Sequence, residues 1–247
     1  MRTDVVDIKA FYDSPLGRTA RGFIRARLTD LWGHAAGLRI AGYGYAEPYV
    51  SPFADGAERI LALHPASQGV AAGAAAPSAL VEEAAWPLAD AAIDRIVIAH
   101  GLEEAESPHR VLREAWRALT DDGRLVLILA NRRSLWALSE STPFGAGRPF
   151  STGQITRLLK QAMFGMEAWS GALYMPPVGA QMVLRAAPAW ERAGGRLWPG
   201  LGGVLLIEAT KQLYVPSGRV KKRVRAPALL PAKASAEARR GGLQRRP

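Results

Sequence analysis

The sequence predicts a doubly wound α/β fold, in which helices cover both faces of a sheet of about seven mostly parallel strands. Short, almost uniformly apolar runs recur along the chain, as in strands buried on both faces, and helix signals lie between them. The 247 residues are 49% apolar, which is enough to build one core of this kind. We therefore expect one domain over residues 1–210, followed by a tail over residues 211–247.

The excess positive charge is concentrated in this tail. The chain has a net charge of +10, yet residues 1–210 hold 21 basic and 21 acidic residues, while residues 211–247 hold 11 basic residues and one acid. From Pro216 onward the tail has no helical or alternating period, so we expect it to be disordered. It is interpreted either as a solubilising segment or as an electrostatic tether to nucleic acid, an acidic protein or anionic lipid.

Composition also bears on compartment and chemistry. The chain has no cysteine, which excludes disulfides, thiolate metal sites and thiol catalysis. No apolar run approaches the roughly 20 residues that cross a bilayer, and the N-terminus has acidic residues where a signal peptide would be basic. The sequence therefore predicts a cytoplasmic protein without a membrane span.

The first half of the chain alternates helix and strand signals. Residues 15–32 place Phe23, Ile24, Leu28 and Leu31 at helical spacing, which predicts an amphipathic opening helix. Four predicted strands follow, at residues Leu38–Gly42, Arg59–Leu63, Ala79–Val81 and Ile93–Ala99.

The second half continues this alternation. Ser107 and Pro108 begin a helix, and a capping box of Ser151 and Gln154 begins another. Between these two helices we predict a turn at residues 121–123, a strand at Arg124–Ala130 and a long insertion at residues 131–150. Two late apolar runs, Ala180–Leu184 and Gly203–Ala209, complete the strand count. The late aromatic residues are interpreted as core or interface residues: Trp169, Tyr174, Trp190 and Trp198.

Two glycines directly follow the first predicted strand. Gly42 and Gly44 lack side chains that would keep a ligand away from the backbone, and they also tolerate positive φ angles. In doubly wound sheets, ligands bind beyond the carboxyl ends of the strands. The pair therefore marks either a cofactor-contacting loop or a simple tight turn.

The segment Ala84–Asn131 narrows these alternatives. It contains Trp86-Pro87, then Ile93-Asp94 leading into a strand, a strand end rich in His, Leu and Glu at His100–Glu104, the helical pattern LREAWRAL and the strand pattern DGRLVL. In this order and spacing it resembles the central part of class I S-adenosylmethionine-dependent methyltransferases of the type 11 kind. The resemblance extends over roughly residues 20–185.

The resemblance implies a Rossmann-like sheet of seven strands, with the last strand antiparallel, and S-adenosylmethionine as cofactor. The residues at the matching positions are Gly42, Tyr43, Gly44, His64, Glu82 and His100. Two positions that carry acids in the family do not carry them here. Ile40 occupies the acidic position of the first strand, and His64-Pro65 stand where the acid at the end of the second strand is expected. The acid after the third strand, which meets the adenine amino group in the family, matches Glu82 or its neighbour Glu83.

The remaining candidates concern the acceptor and the reaction. His100, at the end of the fourth strand, is either a general base or a histidine packed against strand ends. Three nearby acids, Glu103, Glu104 and Glu106, are interpreted as favouring a helix N-terminus, and no metal site is expected. The insertion is interpreted equally well as a lid that binds the acceptor or as a structural loop. The four residues concerned are Arg132, Arg133, Trp136 and Arg148.

The sequence thus predicts methyl transfer to an unknown small-molecule acceptor. Two alternatives stay open. One is a catalytically inactive methyltransferase fold that acts as a binding or scaffold protein, because two acids of the cofactor site are missing. The other is an RNA-directed methyltransferase that uses the basic tail.

Overall fold

The structure, a computed structural model, describes residues 4–33, 35–70 and 76–213. The strands are β1 Arg39–Gly44, β2 Arg59–Pro65, β3 Ser78–Val81, β4 Ile93–Ala99, β5 Leu119–Ala130, β6 Phe164–Ala172 and β7 Val204–Lys211. The helices are α1 Val5–Asp13, α2 Pro15–Trp32, α3 Glu47–Val50, α4 Pro108–Ala118, α5 Thr152–Gln161 and α6 Gln181–Leu197. Short 3-10 turns lie at Ser51–Phe53, Trp136–Leu138 and Pro199–Leu201. The predicted disorder of the tail concerns residues that lie almost entirely outside these ranges.

The seven strands form one sheet in the order β3-β2-β1-β4-β5-β7-β6. Strands β1 to β5 pair in parallel, and β7 runs antiparallel to both β5 and β6. The predicted fold class is confirmed, including the antiparallel last strand. Because β1 pairs with both β2 and β4, the carboxyl ends of these strands meet at one edge of the sheet.

Two apolar layers cover the sheet. On one face α1, α2, α3 and α6 pack around Ile24, Leu28 and Tyr49, and on the other face α4 and α5 pack around Val111 and Ile155. The helix predicted over residues 15–32 is confirmed as α2, although α1 precedes it: the Ser14 hydroxyl accepts the Gly17 N–H at the start of α2, and Pro15 occupies the first turn. The capping box of Ser151 and Gln154 is confirmed at the start of α5.

The sequence predictions differ from the structure in three places: one predicted strand is wrong, one strand was missed and one strand starts earlier. Ala180–Leu184 is not a strand but leads into α6, because Met, Leu, Ala and Arg favour helix and the apolar run continues at helical spacing beyond residue 184. Strand β6, Phe164–Ala172, takes its place in the count. Strand β5 starts at Leu119, earlier than the predicted Arg124, and the turn predicted at residues 121–123 is a bulge within this strand, where the register with β4 shifts between Ile93 and Arg95.

None of the helices in the part of the chain that the structure describes has the length and apolar character needed to span a membrane.

Candidate active site

The glycine loop at the end of β1 packs against the end of β4. Gly44 has a φ of 76°, and a Cβ atom there would overlap the carbonyl oxygen of Ala99. The N–H of Tyr45 donates to that same oxygen at 2.8 Å. A Cβ at Gly42 would lie 2.9 Å from the Cβ of Ala46. The glycines are therefore required for close packing within the loop and against β4.

Two predicted cofactor residues are buried on opposite faces of the sheet. Tyr43 stacks on Trp86 with a centroid separation of 4.9 Å, and its hydroxyl has no hydrogen-bond partner among the described residues. His64, at the end of β2, is also buried, and its Nε2 has no partner there either. Burial lowers the pKa of His64. These unpartnered polar atoms lie in two of the strands that border the predicted cofactor site.

A cavity of about 180 Å³ opens at the carboxyl ends of β2 and β3. Its lining includes Pro65, Ser67, Glu82 and Glu83 on those strand ends and Arg110 on α4. The two acids have different roles. The Glu83 carboxylate accepts the N–H groups of residues 106 and 107, at 2.7 and 2.8 Å, and so caps α4, while Glu82 is exposed at the cavity.

His100 directly follows β4 and holds a backbone conformation that is uncommon outside glycine, with a φ of 52°. Its Nε2 lies 2.8 Å from the Tyr12 hydroxyl, which in turn accepts a 2.6 Å hydrogen bond from Tyr49. Because Tyr12 accepts from Tyr49, its own proton points at Nε2, which assigns the imidazole proton to Nδ1. Burial lowers the pKa of His100 to about 4, so the ring is neutral at pH 7.

Glu103 is a buried carboxyl close to this histidine. Its Oε1 accepts the N–H of Ala130 at 2.9 Å, and its Oε2 has no partner in the described ranges. Burial raises its pKa to about 7. The interpretation of Glu103 as an acid that only favours the start of a helix is wrong, because its carboxyl points into the protein between the ends of β4 and β5.

Aromatic side chains fill the space between the glycine loop and His100. The Tyr12 ring stacks on Tyr45 at 5.3 Å, and Phe144 lies 5.0 Å from the His100 ring, in both cases between centroids. The narrow cleft between His100, Glu103 and Pro143 has no room for a water molecule. The turn after β2 also closes over this centre, because the Gln68 side chain donates to the carbonyl oxygen of His100.

The predicted acceptor residues of the insertion occupy different environments. Trp136 is buried and donates its indole N–H to the Met175 carbonyl at 2.7 Å, with Phe144 packed edge-on against it. The Arg148 guanidinium donates to the carbonyl oxygen of Ala105, which ties the insertion to the loop after β4. Arg132 and Arg133 are exposed. Their role in acceptor binding stays a prediction.

Sequence reasoning missed Tyr12, Tyr49 and the buried character of Glu103. Tyr12 lies in α1, a helix of nine residues that we did not predict from the sequence. The signal for Glu103 was its place three residues after His100 at the end of a buried strand, where acids commonly face a ligand. Two further acids beside it obscured this signal.

Comparisons with known proteins identify similar sequences and similar folds. A family model described as a methyltransferase domain matches residues 41–127. The uncharacterized protein YafS of Escherichia coli K12 is 34% identical over 131 residues, which are 51% of this chain and 51% of that protein. The alignment thus spans about half the length of that curated relative.

Two solved structures have a similar fold. A SAM-dependent methyltransferase from Thermotoga maritima is 18% identical and has a TM-score of 0.60, with 84% of this chain and 96% of that chain covered. The geranyl diphosphate C-methyltransferase of Streptomyces coelicolor, solved with S-adenosyl-L-homocysteine, is 15% identical and has a TM-score of 0.52, with 76% and 78% covered.

Residues 41–127 therefore match a methyltransferase domain, and the sheet has the fold of solved S-adenosylmethionine-dependent methyltransferases. The family match runs from β1 into β5 and includes the glycine loop, the cavity and His100. S-adenosylmethionine is the cofactor that this match supports.

The residues present fit this cofactor in one part of the site. The cavity beside Glu82 is smaller than the roughly 300 Å³ or more of a pocket for a complete small ligand, so it is too small for the whole cofactor. The resemblance to the family implies that the glycine loop contacts the methionine and ribose part of the cofactor. Here Tyr12 and Tyr45 fill the space beside that loop. The described arrangement is therefore open at one end of the site and closed at the other.

Proposed function

We propose that the protein transfers a methyl group from S-adenosylmethionine to a small acceptor that carries an O–H or N–H group. The observation that carries the proposal is the connection between the cavity and the buried cluster at the end of β4. Residues 65–67 line the cavity, and Gln68, the next residue, binds His100. One short turn thus joins the cavity beside Glu82 to a strained histidine and a buried carboxyl.

Each residue of this site has a proposed role. Glu82 holds the nucleoside end of the cofactor, since an exposed carboxylate can accept from an exocyclic amine. Residues 42–44 provide backbone contacts, and the side chains of Tyr43 and His64, which have no partner within the described ranges, provide polar groups. When bound, the cofactor supplies an electrophilic methyl group on a sulfonium. The chain has to align the acceptor with that group and to exclude water.

The proton of the acceptor needs a base that is matched to neutral pH. His100 is a weak base because burial lowers its pKa to about 4, whereas the pKa of Glu103 is about 7. We assign the role of base to Glu103: its Oε2 atom, which is unpartnered among the described residues, takes the proton that the acceptor loses. His100 positions the acceptor through its ring. Arg132, Arg133, Trp136 and Arg148 border the acceptor side.

Calorimetric titration of the full chain with S-adenosylmethionine and S-adenosylhomocysteine tests the proposal. We expect both to bind, and we expect Glu82→Gln to weaken binding by about 10- to 100-fold, because a charge-assisted hydrogen bond contributes about 1.5 to 3 kcal/mol. Glu58→Gln, an exposed acid at the opposite end of β2, is the matched control and leaves binding unchanged. If neither compound binds at millimolar concentration, the proposal is wrong.

A further inference from the structure

Helix α6 buries one side against the rest of the domain and leaves a second, apolar side exposed. Ala187, Glu191 and Gly194 are buried. Large apolar side chains on and just after the helix are strongly exposed: Met182 81%, Trp190 44%, Leu197 61%, Trp198 54% and Leu201 46%. The sequence predicted Trp190 and Trp198 as core or interface residues, and their exposure excludes the core. This surface requires another explanation.

The exposed apolar residues of α6 form one continuous stripe. At about 100° per residue, Met182, Ala189, Trp190, Ala193 and Leu197 fall within an arc of about 100°. The buried residues occupy the neighbouring arc on one side of this stripe. We call these five residues the α6 stripe.

Three arginines line the other edge of the α6 stripe. On the same helical projection Arg185, Arg192 and Arg196 fall within about 60° of its edge. Between residues 168 and 207 the sequence has no other basic residue and one acid, Glu191. That acid is buried and accepts the Tyr174 N–H at 2.6 Å. The exposed charge of this part of the chain is therefore only positive.

We propose that the α6 stripe docks on an anionic membrane surface. An apolar stripe with tryptophan, flanked by basic side chains, suits the boundary between lipid headgroups and acyl chains. The helix would lie in the plane of the interface, with its arginines at the headgroup phosphates. The excess basic charge of residues 211–247 has the sign that would strengthen this attraction.

A second copy of the chain is a poorer occupant. In a two-fold dimer each surface meets itself, so the three arginines of one stripe would face those of the other. Like charges across an interface oppose association. An anionic surface matches both the apolar stripe and its basic edge. The inference is independent of the proposed methyl transfer.

Sedimentation of the full-length protein with vesicles tests the proposal. The probes are vesicles of phosphatidylcholine alone and of phosphatidylcholine mixed with phosphatidylglycerol. We expect binding to the mixed vesicles and little to the neutral ones. Replacing both exposed tryptophans, Trp190→Ala with Trp198→Ala, should lower the partition coefficient at least ~10-fold. Arg185→Gln and Arg196→Gln should each lower it about five-fold.

The matched control replaces two exposed leucines elsewhere, Leu80→Ala with Leu138→Ala, and should bind as the unsubstituted protein does. Circular dichroism and thermal unfolding check that each variant folds. Three results would overturn the proposal: no binding to either vesicle, equal binding to both, or full binding by the double tryptophan variant, which would assign the attraction to the tail. A dimer in analytical ultracentrifugation that the tryptophan changes dissociate would also overturn it and would assign the stripe to a second copy.

Discussion

Burial shifts the pKa values of two neighbouring side chains at the end of β4 in opposite directions. His100 becomes harder to protonate and Glu103 harder to ionise, because each loses the water that would stabilise its charged form. With a pKa of about 7, Glu103 can take and release a proton near neutral pH. A pair of groups that differ in this way is a common arrangement for dividing proton transfer and positioning between two residues.

The change Glu103→Gln tests this division. The amide keeps an oxygen for the Ala130 N–H, so the fold should be retained, but it cannot take the acceptor proton. We expect the release of S-adenosylhomocysteine, measured over a panel of small alcohols, phenols and amines, to fall by about 10² or more. For the unsubstituted protein the rate should rise with pH around pH 7.

The control for this change is Glu140→Gln, an exposed acid in the insertion, which should leave the rate unaltered. A Glu103→Gln variant that keeps both the rate and its rise near pH 7 would assign the base to another residue.

Helix α1 covers the site beside the glycine loop. Its last turn carries Tyr12, which contacts the Tyr45 ring, donates to His100 and accepts from Tyr49. Because the resemblance puts the methionine part of the cofactor in this space, binding should require Tyr12 to move. The energy needed for that movement reduces the observed affinity.

Two substitutions at Tyr12 distinguish the effect of the ring on cofactor binding from the effect of the hydroxyl. Tyr12→Ala removes the obstruction and should tighten S-adenosylhomocysteine binding, whereas Tyr12→Phe keeps the ring and should not. The alanine variant leaves a buried cavity and should lose roughly 3 to 5 kcal/mol of stability, so circular dichroism must confirm its fold. Weaker binding by a folded Tyr12→Ala variant would show that Tyr12 supports the cofactor instead of excluding it.

The elements show which features of this fold can be predicted from sequence. Strand β4 and helices α2 and α5 were predicted well because uniform apolar runs and caps are local signals. The predictions failed for the run Ala180–Leu184 and for the strand Phe164–Ala172. Short apolar segments are compatible with both helix and strand, and tertiary contacts determine which one forms. The His100 position followed from strand order. The closure by Tyr12 depends on a contact 88 residues apart, which no local pattern predicts.

Two buried carboxyl groups make the stability of the whole molecule depend on pH, because the folded state favours their protonated forms. Burial raises the pKa of both Glu103 and Glu191 to about 7. Between the unfolded pKa, near 4.5, and the folded pKa, the folded state binds more protons than the unfolded state. The free energy of unfolding that these two groups contribute must therefore fall as pH rises from about 4.5 through 7. His100 and His64, whose pKa values are lowered, act in the opposite direction below about pH 6.5.

The double change Glu103→Gln with Glu191→Gln isolates the carboxyl contribution. Glutamine is uncharged at every pH and can still accept the N–H groups of Ala130 and Tyr174. We expect the variant to gain stability relative to the unsubstituted protein between pH 5 and pH 8, by an amount on the order of 3 kcal/mol for each carboxyl. Urea unfolding at both pH values measures it. The exposed Glu58→Gln control should stay within about 0.5 kcal/mol throughout. A stability difference that does not depend on pH would mean that these carboxyls are ionised in the folded protein, and Glu103 could then not take up a proton near neutral pH.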